Sequence, residues 1–172
     1  LAPGALGDKK HLAEPLDLLS QILGGGTTSR LYQSLVVEQK IATSAGSWFG
    51  GDTVGPARFG LYAQPVAGGN LDSVEAAIDI ELAKILKDGV TDAELERARA
   101  GMLAMAIYAR DSVTRKARIF GRALSIGQTV EDIETWPQRV EAVTRQQVLE
   151  AAKEVLDIRR SVTGLLLPAK EG

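Results

Sequence analysis

The sequence predicts an α+β fold built around an antiparallel sheet. Three observations carry that expectation. Two segments of period-2 alternation, Ile41 to Phe49 and Arg58 to Val66, are joined by a Gly/Asp-rich connection and read as a hairpin. Apolar residues at spacings of three and four mark helices through most of the remaining chain. Strands do not alternate with single helices, which argues against a doubly wound parallel sheet. The expected order is ααββ, then about four helices, then a closing β segment.

Each element has its own signal. Leu12, Leu16, Leu19, Ile22 and Leu23 form one face of a first helix, with Pro15 in the first turn, where a missing N–H costs nothing. Gly24-Gly25-Gly26 ends it. Thr27, Thr28 or Ser29 then caps a second helix carrying Leu31, Tyr32, Leu35 and Val36. In the hairpin, Ile41, Thr43, Ala45, Ser47 and Phe49 share one side of the first strand, and Phe59, Leu61 and Ala63 one face of the second. Val74, Ala77, Ile78, Leu82, Ile85 and Leu86 mark a helix closed by Gly89. Thr91 to Glu94 fits a capping box for a helix reaching about Arg110. Asp111-Ser112 kinks or restarts the helix, and the further helix carries Ala117, Phe120, Leu124 and Ile126 and is ended by Gly127. Thr129 starts a short helical turn that closes before Trp136-Pro137. Thr144 to Gln147 is another capping box, ahead of Val148, Ala152, Val155 and Leu156. The β-rich run from Ser161 to Pro168 is the expected last strand.

Composition removes several function classes. The 172 residues carry 20 Lys+Arg and 22 Asp+Glu, a net charge of -2, so nothing points to nucleic acid or an anionic membrane. No apolar run is long enough to span a bilayer. There is no cysteine and one histidine, which excludes thiol chemistry and leaves no ligand set for zinc. His11-Leu12-Ala13-Glu14-Pro15 begins like the zinc motif H-x-x-E-H, but Pro15 stands where the second His belongs. Gly24 to Arg30 lacks the strand and the Gly-Lys-Ser/Thr ending of a phosphate loop, so a helix-to-helix turn is expected, with Arg30 bonded locally. Glu94 reads as a cap. Arg110, Arg115, Lys116, Arg118 and Arg122 read as a solvated face or an interdomain contact. Met102, Met105, Trp48, Phe49 and Trp136 read first as core packing. No catalytic residue and no metal ligand are assigned.

The run from Leu18 to Ala42, containing Gly24-Gly25-Gly26-Thr27-Thr28-Ser29-Arg30-Leu31-Tyr32, resembles the non-catalytic C-terminal half-domain of insulinase/pitrilysin-type zinc peptidases, in the group near mitochondrial processing peptidase. Asp88 to Leu95, Val143-Thr144 and Ser161 to Pro168 extend the likeness over nearly the whole chain. The resemblance implies a mostly antiparallel sheet with helices on one face, spanning residues 1–172 as one domain. It implies that Leu1-Ala2-Pro3 ends the domain's first strand, so that the domain is trimmed at its N-terminus. Gly24, Gly25, Gly26, Ser29, Arg30, Leu31 and Tyr32 become family-motif positions. The zinc is expected in an upstream domain, with no cofactor in this chain.

Such domains enclose an unfolded peptide in a clam-like chamber, so the implied partners are the upstream catalytic domain, a homologous subunit or second copy, and a peptide. Some relatives carry an Arg followed seven residues later by a Tyr that bind substrate; the matching positions here are Val36 and Thr43. With Trp48 and Phe49, these are candidate substrate- or interface-facing residues. The missing pair implies the second domain of a zinc-bearing subunit, with the Arg/Tyr pair supplied by a partner. A scaffold module like the core subunits of a respiratory complex is the alternative, and an anion site at Gly24 to Arg30 a third. Bacterial relatives are often exported, so a periplasmic home is the expectation for a bacterial source.

Overall fold

The computed structural model describes residues 2, 4 and 9–167. A 3₁₀ turn, Lys10–Leu12, leads into α1, Ala13–Gly24. Pro15 lies in the first turn of α1, as its fixed φ requires. Leu16, Leu18, Leu19 and Leu23 are fully buried, so α1 is enveloped rather than faced on one side. Its neighbours are β1, α3, α6 and α7.

After the glycine turn the chain forms a π-helix, Tyr32–Glu38, where spacing alone predicts an ordinary α-helix. Gln39 N–H donates to Ser34 O at 2.9 Å, the i→i+5 bond of that wider turn. Lys40, at φ 56, then turns the chain into β1.

β1 (Ala42–Phe49) and β2 (Phe59–Pro65) pair antiparallel, with Ala45 opposite Ala63 and Ser47 opposite Leu61. An irregularity between Ala42 and Ser44 breaks the expected alternation. It leaves Ala42 buried and Thr43 in solvent, as an extra residue in one strand does. Beyond it, Ala45, Phe49, Phe59, Leu61 and Ala63 join the core, and Ser47 Oγ donates to Ser20 O of α1 at 2.7 Å.

The second half is helical: α2 Leu71–Asp88, α3 Asp92–Arg110, α4 Val113–Ser125, α5 Val130–Glu134, α6 Trp136–Ala142 and α7 Arg145–Val155. Asn70 caps α2, and capping boxes form at Thr91/Glu94, Thr129/Asp132 and Thr144/Gln147. The short helix after Thr129 closes before Trp136-Pro137, as expected, and these two residues then open a further helix, α6, in whose first turn Pro137 is harmless. Met102 is buried, but Met105 is exposed on the far half of α3.

The closing strand does not form within the described residues. Residues 161–167 make no ladder, and Val162 and Leu166 are almost fully exposed. A β-rich run becomes a strand only when an edge accepts its backbone. Among the described residues the second edge of β2 is met only at its approach, where Ala2 and Ala57 exchange N–H···O bonds of 2.9 and 2.7 Å. Leu1, Pro3 and Pro168 lie outside the described residues. No helix among them is long and apolar enough to cross a membrane. The architecture is α+β, with a two-stranded antiparallel sheet backed by helices.

Candidate functional site

The fold brings the glycine turn and the Asp88 to Leu95 run together. Arg30 donates from Nε to Glu94 Oε1 at 2.6 Å, and through its terminal nitrogen to Glu94 Oε2 at 2.8 Å and Gly89 O at 3.0 Å. Glu94 Oε2 also accepts from the N–H and the hydroxyl of Thr91, both at 2.8 Å. One carboxylate therefore closes a capping box and a bidentate arginine pair. The Arg30 guanidinium, with help from the Thr91 donors, holds the Glu94 carboxyl down at about 2. With Arg30 engaged in this way, the glycine loop has no arginine of its own for an anion.

The three glycines serve different ends. Gly24 lies on β1: a Cβ there would sit 1.9 Å from Ser47 N and 2.3 Å from Gly46 C. A Cβ on Gly25 would strike Gln21. Gly26 has open space but φ +132, a conformation that L side chains rarely adopt. Ser29 is buried and donates to Gly26 O at 2.6 Å, closing the turn instead of capping the next helix. Leu31 is fully buried and Tyr32 half-buried.

A cleft of about 230 Å³ lies between this turn and α3, lined by Gln21, Gly25, Thr28, Glu94, Arg97 and Gly101 among others. A second, of about 270 Å³, is bounded by Arg30, Gln33, Glu38, Glu81 and Lys84. Neither joins a nucleophile to a base. On α1, burial pushes the Asp17 carboxyl up to about 7, and the charges of Asp52 and Glu14 add to it. The residues at the truncated zinc motif do not fit a metal. His11 is exposed, Glu14 accepts from Arg139 Nε at 2.6 Å, and no group of three suitable side chains exists among the described residues.

The other side of the hairpin is open. Trp48 and Tyr62 are 47% and 55% exposed, so Trp48 is not the core residue that its type suggests. Each lies on a glycine: a Cβ on Gly60 would be 2.4 Å from the Trp48 ring, and one on Gly46 would be 2.6 Å from the Tyr62 hydroxyl. Thr43 is exposed at the strand irregularity and donates to Gln64 O at 3.3 Å. Val36 and Phe49 turn inward, with Phe49 tilted against Phe59 at 6.4 Å between centroids. The four candidates thus divide between two faces.

Sequence reasoning missed two arginines. Arg99 of α3 donates to Val143 O at 2.7 Å and Val140 O at 3.4 Å, satisfying carbonyls at the end of α6. Arg139 joins α6 to α1 through Glu14, and its terminal nitrogen reaches the Thr135 hydroxyl at 2.7 Å. Both link elements 41 or more positions apart, and local spacing carries no sign of such pairs.

The fold has known counterparts. The inactive peptidase domain of a protein described as a zinc protease from Bordetella parapertussis superposes with a TM-score of 0.87 at 22% identity, over 99% of this chain and 88% of that one. A protease from Helicobacter pylori matches at 0.81 and 22% identity, over 91% of this chain but only 36% of that one. A chain of Complex III2 from Candida albicans matches at 0.72 and 16% identity, over 89% of this chain and 37% of that one. The chain thus spans about a third of the length of the latter two. No curated protein matches the sequence. The family described as "Peptidase M16 inactive domain" matches residues 2–102. By that match, which takes in the glycine turn, the hairpin and the Arg30–Glu94 junction, the chain belongs to the peptidase M16 inactive domain family.

Proposed function

We propose that this domain is the non-catalytic half of a zinc endopeptidase, walling a chamber that encloses an unfolded peptide. The observation that carries the reading is the hairpin's open face. One side is sealed on α1; the other presents Trp48 and Tyr62, each about half exposed, over close-packed glycines, with Thr43 exposed at the strand irregularity. Aromatic side chains on a flat, rigid surface suit contact with an extended chain of varied sequence. The metal and its general base belong, on this reading, to an upstream domain with an intact H-x-x-E-H, which supplies a zinc-bound water for hydrolysis. The Ala2–Ala57 bridge supports an upstream strand, because an antiparallel chain continuing back from Ala2 would run along the edge of β2 that is unpaired among the described residues. Val36 and Thr43 replace the Arg/Tyr pair of some relatives, so a partner subunit is expected to supply it.

The test is a peptidase assay on the full-length protein with its partner, and on this domain alone, each with and without zinc. Cleavage of an unfolded polypeptide only by the zinc-loaded assembly is the expected outcome. Trp48→Ala and Tyr62→Ala in that assembly slow long substrates more than short ones. Cleavage by the isolated domain sinks the proposal. An inert assembly that binds no zinc favours the scaffold reading instead, to which the likeness with a Complex III2 chain lends fold-level support.

A further inference from the structure

We infer that the start of β1 is a two-register device: Lys40 to Thr43 exchange between the bulged pairing described above and a regular one in which Thr43, not Ala42, opposes Pro65. The chain carries surplus residues between two fixed points. Arg30 donates to Glu94 and to Gly89 O, and from Ser44 onward the ladder is regular, with Ser44 opposite Gln64 and Ala45 opposite Ala63. Between these points, the π-helix Tyr32–Glu38 closes its turns with one residue more than an α-helix does. β1 in turn holds an extra residue, Thr43, between the partners of Pro65 and Gln64. Lys40 lies between the two surpluses at φ 56, and among the described residues no other non-glycine has a positive φ. That conformation is strained for a residue with a Cβ. The helix end is not free to yield, because Gln39 is clasped to Ser34 twice, N–H to O and Nε2 to Oγ, both at 2.9 Å. The slack therefore falls on Lys40 to Thr43.

The two registers are close in content. A slip of one residue reverses which side chains face the core. In the bulged register Ala42 is buried and Thr43 exposed, with the Thr43 hydroxyl donating to Gln64 O. In the regular register Thr43 turns in, on the side of Ala45, and Ala42 turns out. That is the alternation that Ile41, Thr43 and Ala45 display in the sequence. The exchange thus trades one small side chain for another. Opposite the irregularity stands Pro65, which has no N–H to surrender. One ladder bond changes hands: Val66 N–H, now on Ile41 O at 3.1 Å, passes to Ala42 O. The freed residue enters the turn before the strand and releases Lys40 from its positive φ. The bulged register keeps the Thr43 hydroxyl in water and the regular one relieves the backbone, so neither holds a large advantage. Each register shows a different residue at the rim of the open hairpin face, so a ligand that touches Thr43 selects the bulged one.

The chain has no cysteine, so single cysteines report the exchange without background. Ala42→Cys and Ala45→Cys, both at buried positions, are compared for reaction with a thiol reagent in native buffer. Ala42→Cys is expected to react about tenfold faster, since only its side chain turns out in the regular register. Adding Thr43→Val, which removes the hydroxyl that resists burial, is expected to speed that reaction about fivefold. Adding Lys40→Gly, which removes the strain that the slip relieves, is expected to slow it about fivefold. Neither addition changes the rate of Ala45→Cys. Relaxation dispersion on the cysteine-free chain is expected to show exchange at residues 39–44 and none at 46–49. Equal rates for the two cysteines overturn the inference, because the opening is then global. So does a Thr43→Val that leaves labelling unchanged, the mark of a strand end that only frays, or a flat dispersion profile at 39–44. The inference rests on the geometry of residues 30–66 and not on the peptidase reading; labelling without any peptide present tests the one, and cleavage tests the other.

Discussion

α1 and α4 are near-equal in length, 12 and 13 residues, and both carry apolar residues at helical spacing. Their fates differ. α1 is surrounded by β1, α3, α6 and α7 and fully buries four leucines. α4 buries one alanine and leaves its stripe in solvent. The pattern that announces an amphipathic helix is therefore silent about where its partner lies. For α1 the partner is the rest of the domain. For α4 no such partner stands among the described residues.

The sharpest way to break this contrast is to truncate one leucine in each helix. Leu19→Ala is expected to cost about 3 kcal/mol, because it opens a cavity in a sealed site. Leu124→Ala should stay within about 0.5 kcal/mol, as exposed positions do. Chemical denaturation of both variants measures the gap; equal losses would mean that α4 packs on its own domain.

The glycine turn provides the next contrast. Gly24→Ala must displace β1 backbone at 1.9 Å and is expected to cost about 2 to 3 kcal/mol. Gly26→Ala meets no atom and carries only the strain of φ +132, about 1 kcal/mol. Thermal melts of the two variants should rank in that order.

Two carboxyls sharpen the comparison by pH. Asp17 is raised from 3.8 to about 7, so the folded state holds its proton more tightly than the unfolded state. Its effect is a stability that falls as pH rises across that window and is fully lost above it. Asp17→Asn should therefore be more stable than the parent at pH 8, on the order of 2 kcal/mol, and close to it near pH 4. A parallel pair of pH–stability curves would refute the assignment. Glu94 is the opposite case, lowered from 4.5 to about 2. Its contribution is complete above 4.5 and disappears as pH falls through about 2. Glu94→Gln should cost about 1 kcal/mol at neutral pH, since the pair is partly solvated, and nothing at the acid end.

Much of the fold was legible because its signals are local. The Thr91/Glu94 and Thr144/Gln147 boxes, the Gly89 and Gly127 ends and the hairpin each depend on residues within a few positions of one another. The irregularity at Thr43 and the π-helix at Tyr32–Glu38 were not legible, because each adds one residue to a repeat without changing its composition. At the candidate site, Arg30 could be assigned a local bond from the sequence, but its partner, 64 positions away, could not. Trp48 gave no sign of its exposure, since its resting place is a glycine on the neighbouring strand.

The sequence by itself determined the order of elements from α1 through the hairpin to α5, most helix ends and the family. These follow from short-range sterics, backbone hydrogen bonding and residue type. Only the tertiary structure decided that Gly24 is a contact with β1, that Glu94 serves Arg30 as well as Thr91, that one face of the hairpin stays open, and that 161–167 finds no edge. The physical reason is the same in each case. Burial and pairing are properties of two surfaces, and a sequence read along its length displays one of them at a time.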